Sequence, residues 1–430
     1  MRAAKATRRQ WPKLPPRLIG DLLAGHSAIG LAFGALIYLV CLTGALAVFV
    51  DEFQLMEAPS PAVAALLPGA LDRAVASALA QAGGPGKAGV IFLKAPQTRN
   101  QRWTAFAGAQ TWVIDAEGRL TPIKTPWTDF VTNLHMTLTL PGPWGSAIVG
   151  LIGAALLSLI LSGVLAHPRI LRDAFSLRMG GTRRLQEADL HNRLSVWGLP
   201  FHVAVTVTGA AFALSNVMLM AMASLGFHGD PGPVQRILQG PTVAADPRPA
   251  PTPRLDDLIA RAQTGRPGSA LSYLEIERPG TVGQRITVET TAPGRLPRGD
   301  QSDFDGRGRL IGERRFASGA VGLQLYSGAA QLHFGFFGGL WVRVVYGLLG
   351  AALAYVSATG VSVWLARRRD QGRPAPRLER AWAGWTWGAP AALALAALLS
   401  SFAPVSWVFW IAVLTVQAAA QLWRRRAATG

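Results

Sequence analysis

Four of the seven histidines in this 430-residue chain stand at the edges of long apolar segments, and their spacing repeats. His26 lies 17 positions before Thr43-Gly44, and His191 lies 17 positions before Thr208-Gly209. His135 precedes Ser162-Gly163 by 27 positions, and His333 precedes Thr359-Gly360 by 26. Imidazole is the commonest protein ligand for metals. Two of them facing one another across an iron hold a haem with no open position for oxygen. Ionisable side chains within a bilayer are costly and mark functional sites. A repeated spacing also predicts ligands in symmetric pairs, His26 with His191 near one membrane face and His135 with His333 near the other.

A flat macrocycle needs small residues around it. Gly30, Gly34 and Gly44 in the first apolar segment and Gly347, Gly350 and Gly360 in the fourth could open such a slot. Close helix packing alone would use the same glycines. Arg193 and Arg343 are placed to pair with propionates through a bidentate guanidinium, or to bind lipid phosphate. Three histidines remain. His167, near Ser162-Gly163, either replaces one partner of the pair or marks the membrane edge. His202 lies eleven residues after His191, about 16 Å along an unbroken helix, where it could ligate, relay a proton or bond a backbone carbonyl. His228, in Phe227-His228-Gly229, reads as a solvated loop residue. Cys41 is the sole cysteine. It permits no internal disulfide or thiolate cage and reads as core.

The elements that must position these residues are membrane-length. No charge interrupts Ser27 to Val50, Trp144 to Ala166, Val196 to Phe227 or Val344 to Ala366. A bilayer core of about 30 Å needs roughly 20 such residues. Two shorter runs, Thr386 to Ser401 and Pro404 to Trp423, read as a helical hairpin. We therefore expect an all-α bundle of six spans, at 26–50, 144–167, 191–227, 340–366 and two within 386–423, with four spans and a re-entrant end as the fallback. The first span is too long for a cleaved leader and reads as a signal anchor.

The net charge of +18 does not indicate nucleic acid. The segments 1–25, 168–190, 367–385 and 424–430 hold 20 Lys and Arg against six acidic residues, whereas 51–143 and 228–339 are nearly balanced. This is the positive-inside asymmetry. It puts both termini and the short loops in the cytoplasm, against anionic lipid, and both long loops outside.

Each long loop reads as one small α+β module. In the first, a helical stretch over 61–81 precedes strands at 89–93, 102–106 and 111–115. In the second, a helix over 255–262 precedes strands at 271–277 and 285–290, behind an extended Pro-rich linker over 231–253. The order span–module–span occurs twice in the same orientation, so the repeat is parallel, with its pseudo-twofold axis along the membrane normal.

Trp112-Val-Ile-Asp-Ala-Glu-Gly-Arg-Leu120 resembles the closing strand and turn of a PepSY domain, and Phe304-Asp-Gly-Arg-Gly-Arg-Leu310 is similar. Gly25-His26, Leu42-Thr43-Gly44, Asn133-Leu134-His135, Leu161-Ser162-Gly163, Asp189-Leu190-His191 and Leu332-His333-Phe334-Gly335 resemble the membrane motifs of the PepSY-associated transmembrane family. The resemblance covers roughly residues 15 to 370 and leaves the terminal hairpin outside. It implies two extracytoplasmic PepSY-like modules on a bacterial inner-membrane protein. It also implies haem b, two per chain, held by His26, His191, His135 and His333, and reduction of ferric iron in a siderophore or similar chelate. No Gly-x-Gly-x-x-Gly follows a strand, so electrons must come from elsewhere, from membrane quinol or a cytoplasmic flavoprotein. Trp103, Arg99 and Arg102 in one module and Arg314 and Arg315 in the other could dock an anionic chelate or form a solvated basic face. Two other classes compete with a reductase: a non-catalytic membrane scaffold or sensor binding peptides or proteins through its modules, and a permease. A scaffold has no use for paired histidines, and a permease needs a polar path that the spans lack.

Overall fold

The computed structural model describes residues 14–63, 65–96, 100–167 and 183–426. Helices α1 (Pro16–Ala47), α2 (Val50–Glu57) and α3 (Ala70–Gln81) lead into strands β1 (Val90–Lys94), β2 (Trp103–Ala107), β3 (Gln110–Ile114) and β4 (Leu120–Ile123). Helices α4 (Pro126–Thr137) and α5 (Pro143–Ala166) follow. The second half runs through α6 (Arg183–Trp197), α7 (Leu199–Ala213), α8 (Ser215–Gly226), α9 (Gly232–Gln239) and α10 (Leu255–Gln263). Strands β5 (Leu271–Glu277), β6 (Arg285–Thr291), β7 (Gly299–Asp305) and β8 (Leu310–Arg314) come next, then α11 (Val321–Phe334), α12 (Gly339–Asp370), α13 (Pro376–Leu398) and α14 (Val405–Arg426). The chain forms two compact units. One is helical (Met1–Val48, Pro126–Leu214 and Arg343–Gly430), and the other holds all eight strands (Phe49–Thr125 and Ser215–Val342).

In the helical unit, α1, α5, α12 and residues Val405–Leu422 of α14 are long and apolar enough to cross a membrane. The expected third span is not one helix. It breaks at Gly198, where α6 and α7 meet at 71°, and again after Ala213. The cause is local. Arg183 to Asn192 is polar on every face, unlike a lipid-facing helix. Pro200, in the first turn of α7, also lacks the N–H that would continue the ladder from α6. Among the described residues four helices therefore meet the length and hydropathy of a span, or five if the bent pair counts as one.

Helix α13, richer in Trp and Gly, is fastened to its neighbours through backbone carbonyls. Trp382 Nε1 donates to Ala358 O at 3.0 Å, Trp385 Nε1 to Ala35 O at 3.2 Å and Trp127 Nε1 to Leu393 O at 2.9 Å. Tyr38 Oη donates in turn to Thr386 O at 2.6 Å. A helical carbonyl already bonded to its own ladder retains a second lone pair for such donors. Ile37, Tyr38, Cys41, Ile152, Leu353 and Ala389 form the core between α1, α5, α12 and α13. Cys41 is buried there, as expected.

The strand unit departs from the expectation of two separate modules. Its eight strands form a single antiparallel sheet in the order β4-β3-β2-β1-β5-β6-β7-β8. The two loops meet at its centre, where Ile91 lies opposite Ile276 and Leu93 opposite Leu274. A four-stranded piece this small buries too little apolar surface alone. Joined, the halves share one core that includes Leu71, Val75, Ile91, Trp112, Leu255, Ile276, Ile286 and Phe304.

The helices cap each other across this junction. Gly69 N donates to Asp256 Oδ2 at 2.8 Å, and Leu255 N donates to Asp72 Oδ1 at 2.9 Å, so each helix start is satisfied by the other half's carboxylate. The two motif turns are also alike. Asp115 Oδ1 accepts the backbone N–H of Glu117 and Arg119, and Asp305 Oδ1 accepts those of Arg307 and Arg309. In each, the Arg Nε then bonds the second carboxylate oxygen.

Strands β4, β7 and β8 escape the sequence reading; β4 carries Pro122 and β7 reads Gly-Asp-Gln-Ser-Asp-Phe-Asp. Every residue of β7 is nonetheless buried. The Pro-rich linker is part helix (α9), and the carbonyls of its last residue, Gln239, and of Pro241 just beyond accept from Arg285 Nη1 at 2.7 and 3.0 Å. Two proposed docking arginines are not at the surface. Arg102 is 2% exposed and bonds Asn100, Ala58 O and Ser60. Arg314 pairs with the fully buried Asp303. Arg315 is exposed and pairs with Glu313, Trp103 packs against the core, and Arg99 lies outside the described residues.

Burial works upward on the Asp305 carboxyl, but the backbone N–H groups and guanidinium of Arg309, aided by Arg307 N–H, hold it below the usual carboxylate range. A carboxyl depressed by folding contributes stability above its unfolded value, about 3.9, and loses it as pH falls through the folded value. Asp305→Ala should therefore destabilise the strand unit by about 1–2 kcal/mol at pH 7, the cost of two to three net hydrogen bonds. In urea unfolding followed by circular dichroism, the difference from wild type should shrink below about pH 4.

A candidate cofactor cavity

Helices α1, α5, α6–α7 and α12 enclose a cavity lined by His26, His167, His191 and His202 within apolar walls. Its atom-free space, counted with the open solvent at its mouth, is about 1230 Å³. Its lining follows the repeat. An offset of 165 positions relates α1 to α6–α7: His26 to His191, Ser27 to Asn192, Gly30 to Ser195. An offset of 197 relates α5 to α12: Leu156 to Leu353, Leu159 to Val356, Gly163 to Gly360. The same offsets pair Ile37 with His202 and His167 with Trp364, and all four line the cavity.

Each paired histidine lies over a Ser/Thr-Gly step of a different helix. His26 Nδ1 is 3.0 Å from Ser162 Oγ, and its Cε1 is 3.4 Å from where a Cβ on Gly163 would stand. His191 Nδ1 is 3.0 Å from Val356 O and 3.2 Å from Thr359 Oγ1, with its Cε1 again 3.4 Å from a Cβ on Gly360. The spacing along one helix therefore hides a pairing between helices. The Ser-Gly and Thr-Gly steps of α5 and α12 seat His26 and His191, and the Thr43-Gly44 step of α1 seats His135. His135 Nδ1 is 2.9 Å from Val40 O, and a Cβ on Gly44 would come within 2.7 Å of its Cε1.

These partners fix the tautomer. A backbone carbonyl only accepts, so Nδ1 of His191 and of His135 carries the proton in the neutral ring. Ser162 donates its own hydroxyl to Ser158 O at 2.7 Å, so its oxygen accepts from His26 Nδ1. In all three rings Nε2 then presents a lone pair, the arrangement in which a partner on one ring nitrogen prepares the other for a metal.

The remaining candidates behave differently. His202 is in the first turn of α7 because of the bend, not 16 Å into a span. It is 2% exposed, and its Nε2 is buried without a hydrogen-bond partner. A Cβ on Gly198, at the bend, would stand 2.4 Å from that ring. His167 caps the end of α5 with a buried, unpartnered Nδ1. His333 belongs to the strand unit, where it nears the end of α11 against Phe334 at 5.3 Å. His228 is exposed in a turn at φ +51°.

Two readings of the slot change. Of the expected glycines, Gly30, Gly34 and Gly360 line the cavity, joined by Gly163, whereas Gly350 packs α12 against Ala45 with a Cβ distance of 3.1 Å. Arg193 is ion-paired with Asp189 at 2.8 Å, and neither it nor Arg343 lines the cavity. Among the described residues no group of three or more His, Cys, Asp or Glu could hold a bare metal ion. The donor set suits a macrocycle that needs only axial imidazoles.

A family model described as the PepSY-associated TM region matches residues 23–367. The chain belongs to this PepSY-associated transmembrane family. An uncharacterized protein of Pseudomonas aeruginosa is 32% identical over 294 residues, 65% of this chain and 74% of its own length. The family match takes in the cavity and all seven histidines and stops before α13 and α14, which only this chain's packing explains.

The glycine seats make a graded prediction. Gly44→Ala should force His135 off Val40 and cost about 1–3 kcal/mol, the usual penalty of overpacking. Gly163→Ala and Gly360→Ala add contacts of ordinary length and should change little. Thermal unfolding of the detergent-purified variants measures both.

Proposed function

We propose that the chain is a haem-containing reductase of the bacterial inner membrane that passes single electrons to ferric iron in a siderophore or similar chelate. The observation that carries this reading is the repeat-related pair His26 and His191, both lining one cavity with Nδ1 committed to a neighbouring helix. His135, seated the same way, and His333 are the pair proposed for the other face. Haem b held at each pair, two per chain, would supply one-electron transfer.

The chain's own groups do the positioning. Ser162 Oγ and Val356 O hold the Nδ1 protons and set the ring planes. Gly163 and Gly360 leave the space that a side chain would fill. Leu156, Leu159, Leu199 and Leu353 keep water from the walls, so a charge moving through the site meets little solvent reorganisation. The substrate needs no nucleophile or general base. Ferric iron is gripped by hard oxygen donors, and the ion left after gaining one electron is softer and less charged, so the chelate holds it less tightly. The charge asymmetry supports cytoplasmic termini and a strand unit outside the membrane. Six crossings would count α6–α8 and α13 as spans.

A reduced-minus-oxidised absorption spectrum of the purified protein tests this. Two low-spin b-type haems per chain are expected. His191→Ala should remove the one in the cavity and leave the other, halving haem per chain. Protein made with ample haem yet containing none would overturn the reading and favour a scaffold that binds peptides or proteins.

A further inference from the structure

His202 breaks the symmetry of the cavity. Its repeat partner is Ile37, which lines the same space and has no ionisable group. An axial pair drawn from the repeat is complete with His26 and His191, so the second half carries an imidazole that a symmetric site does not use. That imidazole is nearly fully buried, yet its Nε2 has no hydrogen-bond partner. An unpaired buried nitrogen is costly unless a ligand satisfies it. The fold also makes room for it, since only a glycine at 198 lets the ring lie back on the bend between α6 and α7.

We propose that His202 Nε2 is the hydrogen-bond partner and proton acceptor for a membrane hydroquinone, which enters the cavity as the electron donor. The inference rests on the reductase reading and chooses between its two donors. Among the described residues the cavity lining contains no Lys or Arg, so those walls offer no cation to a phosphate group. Its polar side chains beyond the histidines are few among the described residues: Asn192, Trp364 and three serines, Ser27, Ser195 and Ser357. Apolar walls with a few hydrogen-bonding groups suit a neutral, lipid-soluble ring bearing hydroxyls. The cavity extends along α1 from Leu23 to Ile37, about 20 Å by helical rise, which leaves length beyond one ring system.

The chemistry balances with one base. As a hydroquinone hydroxyl loses an electron, its O–H bond breaks and the proton passes to His202 Nε2, then to water. The electron would be taken up by the haem that His26 and His191 would hold, for delivery to ferric iron. Two such steps oxidise one hydroquinone to quinone, release two protons and reduce two ferric ions.

The test uses the full chain in detergent or nanodiscs with decyl-ubiquinol as reductant and oxidised decyl-ubiquinone as binding probe. The quinone should raise the melting temperature of wild type. His202→Gln, which keeps a hydrogen-bonding group and cannot carry the proton, should retain that shift and the full haem content. Its reduction by decyl-ubiquinol should slow roughly 100-fold, within the usual range for a positioned general base, with dithionite reduction unchanged. His202→Leu should lose the quinone shift as well. Reduction of His202→Gln at the wild-type rate would overturn the proposal. Loss of haem from His202→Gln would overturn it too, by making His202 an axial ligand. Wild-type protein that holds haem but neither binds the quinone nor accepts electrons from the hydroquinone would overturn this donor and leave the reductase reading standing. Absence of haem from wild type would overturn the reading beneath it.

Discussion

A single contact type organises the helical unit, an imidazole Nδ1 bonded to an oxygen on another helix with a glycine beneath the ring. His26, His135 and His191 all make it, on three different helices. Each contact fixes which nitrogen is protonated, and therefore which is free to act. At Gly44 it also fixes helix spacing, because the His135 ring occupies the volume of a missing side chain. The carbonyl or hydroxyl that accepts is already part of a helical ladder, so no loop is needed to hold the ring. Rigid elements position such groups more closely than loops do.

The repeat explains why one cavity can be built from two sequence halves that differ at most positions. What survives is the offset: Leu156 faces inward as Leu353 does, and Gly163 as Gly360 does. Where the halves diverge, function can become directional. Ile37 against His202, and His167 against Trp364, make the two halves of the same pocket chemically distinct. A symmetric scaffold thereby acquires a side for entry without losing the symmetric seats.

Much of this was legible in the sequence, and the reasons for the failures are physical. Uncharged runs located α1, α5 and α12 within a few residues at most ends, because lipid-length helices leave a strong compositional signal. The histidine spacing drew attention to three residues that share one kind of seat but not to the helices that supply those seats, since linear order does not show which helices touch. The third span misled because Val196 to Phe227 is uncharged throughout, while the breaks depend on Gly198 and Pro200 and on the turn after Ala213. In the strand unit, β7 was invisible because its Asp, Gln and Ser residues contradict strand preference. They are tolerated because Arg314, Arg309 and backbone donors from residues 317 and 318 satisfy them. That the two modules merge was also beyond reach, because both central strands carry the same alternating pattern and neither announces its neighbour.

The pairing of β1 with β5 has a consequence for how the protein is made. Roughly 180 residues separate these strands, and apolar helices of the other unit lie between them. At about 5–20 residues per second of synthesis, β1 exists for some 10–35 seconds before β5 is available. Through that interval its hydrogen-bonding edge is open, and the first residues of α3 lack the carboxylate of Asp256. An open, apolar edge is a template for wrong pairing. The newborn chain must therefore be shielded on that side until its second half has been delivered, so a truncated first half is a hazard to the cell and not a smaller version of the whole.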